Sequence, residues 1–187
     1  MDYEGIYRKS GGTSQLKLIT QLFERGHPFD LDDQSRFNDI SAVTSVLKNY
    51  FRELPIPLLT FDLHEQFVQA VQIKDNPQQK EADMRELLNK LPRPHYATFR
   101  HLIMHLHRVQ ARSEENRMNA RNLGVVFGRE YPGNIAFVSS RVLTSLLIFT
   151  ATLMRSGDPS QEFAHMGGKA MTIECESPNG IGSRAWF

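Results

Sequence analysis

Arg8 is the residue best suited to chemistry in this chain. It stands in Glu4-Gly5-Ile6-Tyr7-Arg8-Lys9-Ser10-Gly11-Gly12, just ahead of a predicted helix and beside a Ser-Gly-Gly stretch whose composition predicts a flexible loop. A guanidinium presents several N–H donors in a fixed planar fork, which suits oxygen-rich anions. On such a loop it reads as an arginine offered to a partner. The plain alternative is a solvated arginine at the start of a helix, since charged side chains are mostly exposed.

Three further groups bear on chemistry. Lys48 and Arg52 lie four apart on a stripe beside the apolar face of the most amphipathic segment. Like charges at that spacing cost about 0.2 to 0.5 kcal/mol, so an isolated helix gains nothing from the pair, which hints at a partner. The alternative is a solvated basic stripe with Glu53 nearby. Asn119 and Asn122 are three apart on one predicted helix, which brings both amides to one side; either can equally serve to tie down a loop. His101 and His105 share a helical face, but no third ligand accompanies them and no glutamate follows His101, so they read as surface histidines flanking a core stripe rather than as a metal site.

The elements that must position these residues are helical. Thr13 or Ser14 can cap a helix carrying Leu16, Ile19, Leu22 and Phe23, with Gly26 to end it. Asp39 or Ser41 can start a second through Val43, Val46, Leu47, Tyr50, Phe51 and Leu54, stopped by Pro55-Ile56-Pro57. Thr60 can cap a third through Leu63, Phe67, Val68 and Val71, and Asn76-Pro77 opens a fourth through Met84, Leu87, Leu88 and Leu91. Phe99, Leu102, Ile103, Leu106 and Val109 form a fifth apolar face, and Ser113 can cap a sixth helix carrying Met118, Asn119, Asn122 and Val126. No alternating strand pattern competes, which predicts an all-α bundle.

With 187 residues, 40% of them hydrophobic, the chain is long enough for one sizeable core and reads as a single domain. Twenty-two basic residues balance 21 acidic ones, so the net charge of +1 gives no field that would draw the chain to nucleic acid or an anionic membrane. The single cysteine, Cys175, cannot form an internal disulfide, and Met1-Asp2-Tyr3-Glu4 lacks a secretory pattern, so the expected compartment is the cytoplasm. Ile135 to Met154 approaches membrane-spanning length but contains Arg141 and several Ser and Thr residues, which argues against insertion.

The finger-like segment, together with Leu47-Lys48-Asn49-Tyr50-Phe51-Arg52-Glu53-Leu54-Pro55-Ile56-Pro57-Leu58 and Met118-Asn119-Ala120-Arg121-Asn122-Leu123-Gly124-Val125-Val126-Phe127-Gly128, resembles the signature of the RhoGAP domain, a helical module that accelerates GTP hydrolysis by Rho-family GTPases. The resemblance runs from about Asp2 to Gly128 and resumes at Thr152-Leu153-Met154-Arg155. It implies that Arg8 is the catalytic arginine finger, that Lys48 meets the GTPase, that Arg52 braces the finger loop near the interface, and that Asn122 hydrogen-bonds near the loop and the GTPase switch. An arginine supplied this way places positive charge where negative charge builds on the transferring phosphoryl group. The chain has no GxxxxGK[ST] loop, so it is not expected to bind a cofactor of its own; GTP and magnesium would arrive on a GTP-bound Rho-family partner.

The family pattern continues Val-Phe-Gly-Pro-Thr-Leu, whereas here twenty-three residues, Arg129 to Ala151, stand where one proline is expected. Arg129-Glu130-Tyr131 and Thr150-Ala151 are compatible with splice donor and acceptor codons, so a retained intron is one explanation; a genuine inserted loop or helix, with Leu146 to Phe149 packed on the bundle, is the other. Residues 175–187 form a tail of poor helix chemistry. The expectation is therefore a RhoGAP-type bundle truncated at both ends, with residues 1–128 and 152–174 matching the family. The functional alternatives are a Rho-GTPase-binding module that does not stimulate hydrolysis, an inactive misspliced product, and a metal-dependent helical enzyme using the histidines. Recruitment to membrane or cytoskeleton would fall to targeting domains of a longer parent protein.

Overall fold

The computed structural model describes residues 1–26, 28–128 and 139–156, with side chains as far as Ala151. Cys175, the atypical tail, the family-like stretch beyond residue 156 and the first part of the expected insertion lie outside the described residues. Within them the fold is all-helical: α1 Thr13–Arg25, α2 Ile40–Arg52, α3 Phe61–Gln72, α4 Pro77–Lys90, α5 Arg93–Gln110, α6 Ser113–Asn116, α7 Ala120–Phe127 and α8 Ser140–Ser156.

Local chemistry accounts for several boundaries, although Thr60 precedes α3 without a side-chain cap bond. Asp39 Oδ1 accepts from the amides of Ser41 and Ala42 to cap α2, and Asn76 accepts from Gln79 N ahead of Pro77 in α4. Gly26 closes α1 in the left-handed conformation. The expected cap by Thr13 or Ser14 is corrected: Gly12 is the N-cap of α1, and it donates its own amide to Asp39 Oδ2 at 2.7 Å. One carboxylate thus starts α2 with one oxygen and fixes the chain entering α1 with the other.

The expected sixth helix is also corrected, because it is two. Arg117 takes a left-handed conformation (φ 61°) between α6 and α7, and Asn119 becomes the N-cap of α7, accepting from Asn122 N at 2.9 Å. The break is built around Asn116, which is fully buried. Its Oδ1 accepts from Met118 N at 2.7 Å and its Nδ2 donates to Val109 O and Met1 O. A side chain that captures the next turn's amide competes with continued helix.

Two apolar clusters result. A small one joins α1 and α2 through Ile19, Phe37 and Ala42. The large one contains Ile6, Tyr7, Phe51 of α2 and the apolar faces of α3, α4, α5, α7 and α8. α2 belongs to both, since Val43 and Val46 pack on the small cluster and Leu47 and Phe51 on the large one.

α8 contributes Val142, Leu143, Leu146, Leu147 and Phe149 to the large cluster, at helical spacing. Each fully buried aliphatic side chain is worth about 1.5 to 3 kcal/mol against exposure. Its buried Thr150 hydroxyl is satisfied by Leu146 O at 2.7 Å. The helix approaches α7 closely because Gly124 and Gly128 lack side chains: a Cβ on Gly124 would lie 2.1 Å from Thr144 Oγ1, and one on Gly128 2.3 Å from Ser140 Cα. α8 runs unbroken through Ala151 into Ser156, across the point where the family resemblance resumes. Among the described residues, no helix is long and apolar enough to cross a membrane.

Candidate functional site

The segment around Arg8 is anchored on both sides. Before it, Gly5 adopts φ 75° and donates its amide to Asn116 O at 2.8 Å, while the amides of Arg8 and Lys9 both turn back onto Gly5 O. Ile6 and Tyr7 are buried. After it, Gly11 lies so close to the first turn of α2 that a Cβ there would be 2.1 Å from Ala42 N, and its amide approaches Ser45 Oγ at 3.3 Å. The expected flexible Ser-Gly-Gly loop is therefore corrected. The glycines serve close approach, and only Arg8 to Ser10 project between two fixed points.

Tyr7 is the chief anchor. It is 3% exposed, its ring packs at 5.0 Å from the Phe127 ring and edge-on to His105, and its hydroxyl pairs with His105 Nε2 at 2.5 Å. Burial pushes the phenol well above its usual range, so the hydroxyl stays protonated and can donate. Lys48 Nζ donates to the Tyr7 carbonyl at 2.5 Å. Lys48 is itself buried, and desolvation, then the neighbouring Arg52 charge, lowers its pKa. Arg52 donates from Nη2 to Val126 O at 2.9 Å. Both cations of α2 thus spend donors on backbone carbonyls, which corrects the solvated basic stripe, and the bond to the loop comes from Lys48 while Arg52 reaches α7.

Arg8 is exposed, and its guanidinium has no hydrogen bond or ion pair among the described residues. Lys9, beside it, is engaged, with its ammonium 4.9 Å from the centre of the Tyr3 ring. Asn122 is half-buried and donates from Nδ2 to Arg117 O at 2.8 Å. The structure therefore brings Arg8 and Lys48 together through Tyr7 and ties Arg52 and Asn122 to the two ends of α7.

Sequence reasoning missed Tyr7, Asn116 and His105. The reading of His105 as a surface residue is corrected: it is half-buried, and burial, then Arg108 and the N-terminal ammonium, lower its pKa. Its position three residues after Leu102 and four before Val109, both core residues, is the signal that could have placed it inward. Among the described residues no cluster of His, Cys, Asp and Glu could hold a metal ion.

The RhoGAP domain model matches residues 1–131. Mouse beta-chimaerin is 41% identical over 126 residues, covering 67% of this chain and 37% of that protein, and chicken Rho GTPase-activating protein 15 is 40% identical, covering 68% and 26%. The chain thus spans well under half the length of these curated relatives. The crystal structure of human Rho GTPase activating protein 15 superposes with a TM-score of 0.68 at 33% identity, over 83% of this chain and 74% of that one. The BH domain of GRAF shares the fold, with a TM-score of 0.64 at 24% identity over 88% and 84% of the two chains.

Proposed function

The chain belongs to the RhoGAP domain family, and on that premise we propose that it stimulates GTP hydrolysis by GTP-bound Rho-family GTPases with Arg8 as the finger supplied in trans. The observation that carries this reading is the exposed guanidinium of Arg8, unpaired among the described residues, on a backbone fixed at Tyr7 and Gly11. A cation held ready in that way loses little freedom when it enters a partner's nucleotide site, and its donors are not already committed. The chain makes no covalent intermediate and holds no nucleotide or magnesium; both belong to the partner, whose active site it completes.

Lys48 acts by holding the loop from beneath. Arg52 and Asn122 fix the two ends of α7 beside it, and the Asn122 Oδ1, which accepts no hydrogen bond among the described residues, is available to the partner's switch surface. The activity is that of an enzyme regulator, exerted from the aqueous side of any membrane the partner occupies.

Single-turnover hydrolysis of GTP preloaded on a panel of Rho-family GTPases tests the proposal. The chain is expected to accelerate hydrolysis, and Arg8→Ala to lose about 10³ to 10⁵ of that acceleration while retaining binding. Binding without acceleration by the unaltered chain would instead identify a non-catalytic interaction module, and equal acceleration by both would remove Arg8 from the finger role.

A further inference from the structure

We propose that His105 is a positioning residue for Arg8, acting through the hydroxyl of Tyr7; this rests on the finger reading of Arg8. Tyr7 has φ 68°, in the left-handed region that a bulky side chain leaves unless its surroundings hold it there. That twist turns the chain from a buried residue to an exposed one in a single step, so the direction in which Arg8 leaves the surface depends on Tyr7 remaining in it.

Three holds keep Tyr7 in place, on different atoms. Phe127 packs against the ring, Lys48 donates to the carbonyl, and His105 takes the hydroxyl. Of these only the last fixes the far end of the side chain, and so limits swing of the whole ring about χ1 and of the backbone that carries it. His105 is suited to this. It stands on α5, an 18-residue helix packed into the main core, and is not displaced with the loop. Burial and the nearby Arg108 and N-terminal charges favour its neutral form, which leaves Nε2 as a lone-pair acceptor for the Tyr7 O–H with the proton on Nδ1. It touches no group expected to meet the nucleotide, so it acts only through Tyr7.

The test uses Tyr7→Phe, His105→Ala and His105→Gln in the whole chain. On single-turnover hydrolysis by a responsive Rho-family GTPase, the first two are expected to lower kcat roughly ten- to a hundredfold with little change in KM, the size of loss that a small misplacement produces. His105→Gln, which can offer an amide oxygen to the hydroxyl, is expected to recover part of it. Against an Arg8→Ala background, His105→Ala should cost nothing further. An equal loss in that background, or a loss confined to KM, overturns the proposal, as does unchanged kcat in Tyr7→Phe.

A second readout needs no GTPase. Amide exchange at Arg8 and Lys9, whose N–H groups bond to Gly5 O, should accelerate in Tyr7→Phe and His105→Ala while exchange in the α5 core does not. Loop exchange unchanged in both variants also overturns the proposal. If the unaltered chain stimulates no GTPase, the finger reading fails by itself, and the exchange data still show whether His105 sets the loop.

Discussion

Lys48 donates its ammonium to the carbonyl of Tyr7, the residue immediately before Arg8. A buried cation therefore holds the backbone next to an exposed one, across 41 positions of sequence. Lys48→Met keeps the aliphatic stem and removes the donor. It is expected to destabilise the fold by about 1 to 3 kcal/mol, because the Tyr7 carbonyl is left without its partner, and to lower GTPase stimulation with it. A urea midpoint and a single-turnover assay on the same preparation check both; unchanged values in both would show that the bond holds nothing.

Arg8 and Lys9 carry the same charge and differ in what they touch. Arg8→Lys keeps a cation but loses the planar fork, so most of the stimulation is expected to disappear, with stability within about 0.5 kcal/mol of the unaltered chain. Lys9→Ala loses the contact with Tyr3 and the packing of its stem over Gly5, and should retain stimulation within a few-fold. Hydrolysis rates and melting curves for the two variants separate the neighbours, and a larger loss from Lys9→Ala would exchange their roles.

Gly124 is one of the two glycines at which the α7 segment and α8 approach without room for a side chain. Gly124→Ala places a methyl group against Thr144 Oγ1 and Ser140 O, and is expected to cost about 1 to 3 kcal/mol through overpacking, despite alanine's better helix propensity. Gly26→Ala is the control, because its Cβ would meet nothing within 4 Å and only the positive φ is penalised. Chemical denaturation of the two variants gives the comparison. A neutral or stabilising Gly124→Ala would mean that α8 does not dock on α7.

His105 should make stability depend on pH. Its folded-state pKa lies below the ordinary value of 6.5, so between the two the unfolded chain binds more protons. Its contribution is therefore fully present above pH about 6.5 and is lost as pH falls from there toward the folded-state value. Urea midpoints of the unaltered chain and His105→Gln between pH 5 and 8 should converge on acidification, and parallel curves would contradict the burial.

Much of the fold was legible because the signals were local. The apolar spacing of α2 and α5, the Asn76 cap before Pro77 and the Gly26 stop all lie within a turn or two of what they specify. The break at Arg117 was not, since Met118, Asn122 and Val126 continue a helical spacing and only the burial of Asn116 opposes it. The motif singles out Arg8 as a candidate, and the structure leaves it exposed. What holds it could not be read from the sequence, because Tyr7 and His105 are 98 residues apart and no local periodicity connects them. The two glycines after Ser10 misled for a related reason: composition shows that a glycine is free to move, and only the packing shows that Gly11 is there to let backbone touch backbone.

One helical turn of α2 separates the two residues that reach the loop and α7, Lys48 and Arg52. Four residues of α-helix advance about 6 Å, and that spacing is stiff. α2 is thereby a gauge block: it fixes how far the arginine-bearing loop stands from the helix that carries Asn122, and any partner that reads both must match that interval. Insertion or deletion of a single residue between Lys48 and Arg52 would rotate one of them by about 100° off its carbonyl, so the length of this turn sets the geometry of the candidate site as much as its side chains do.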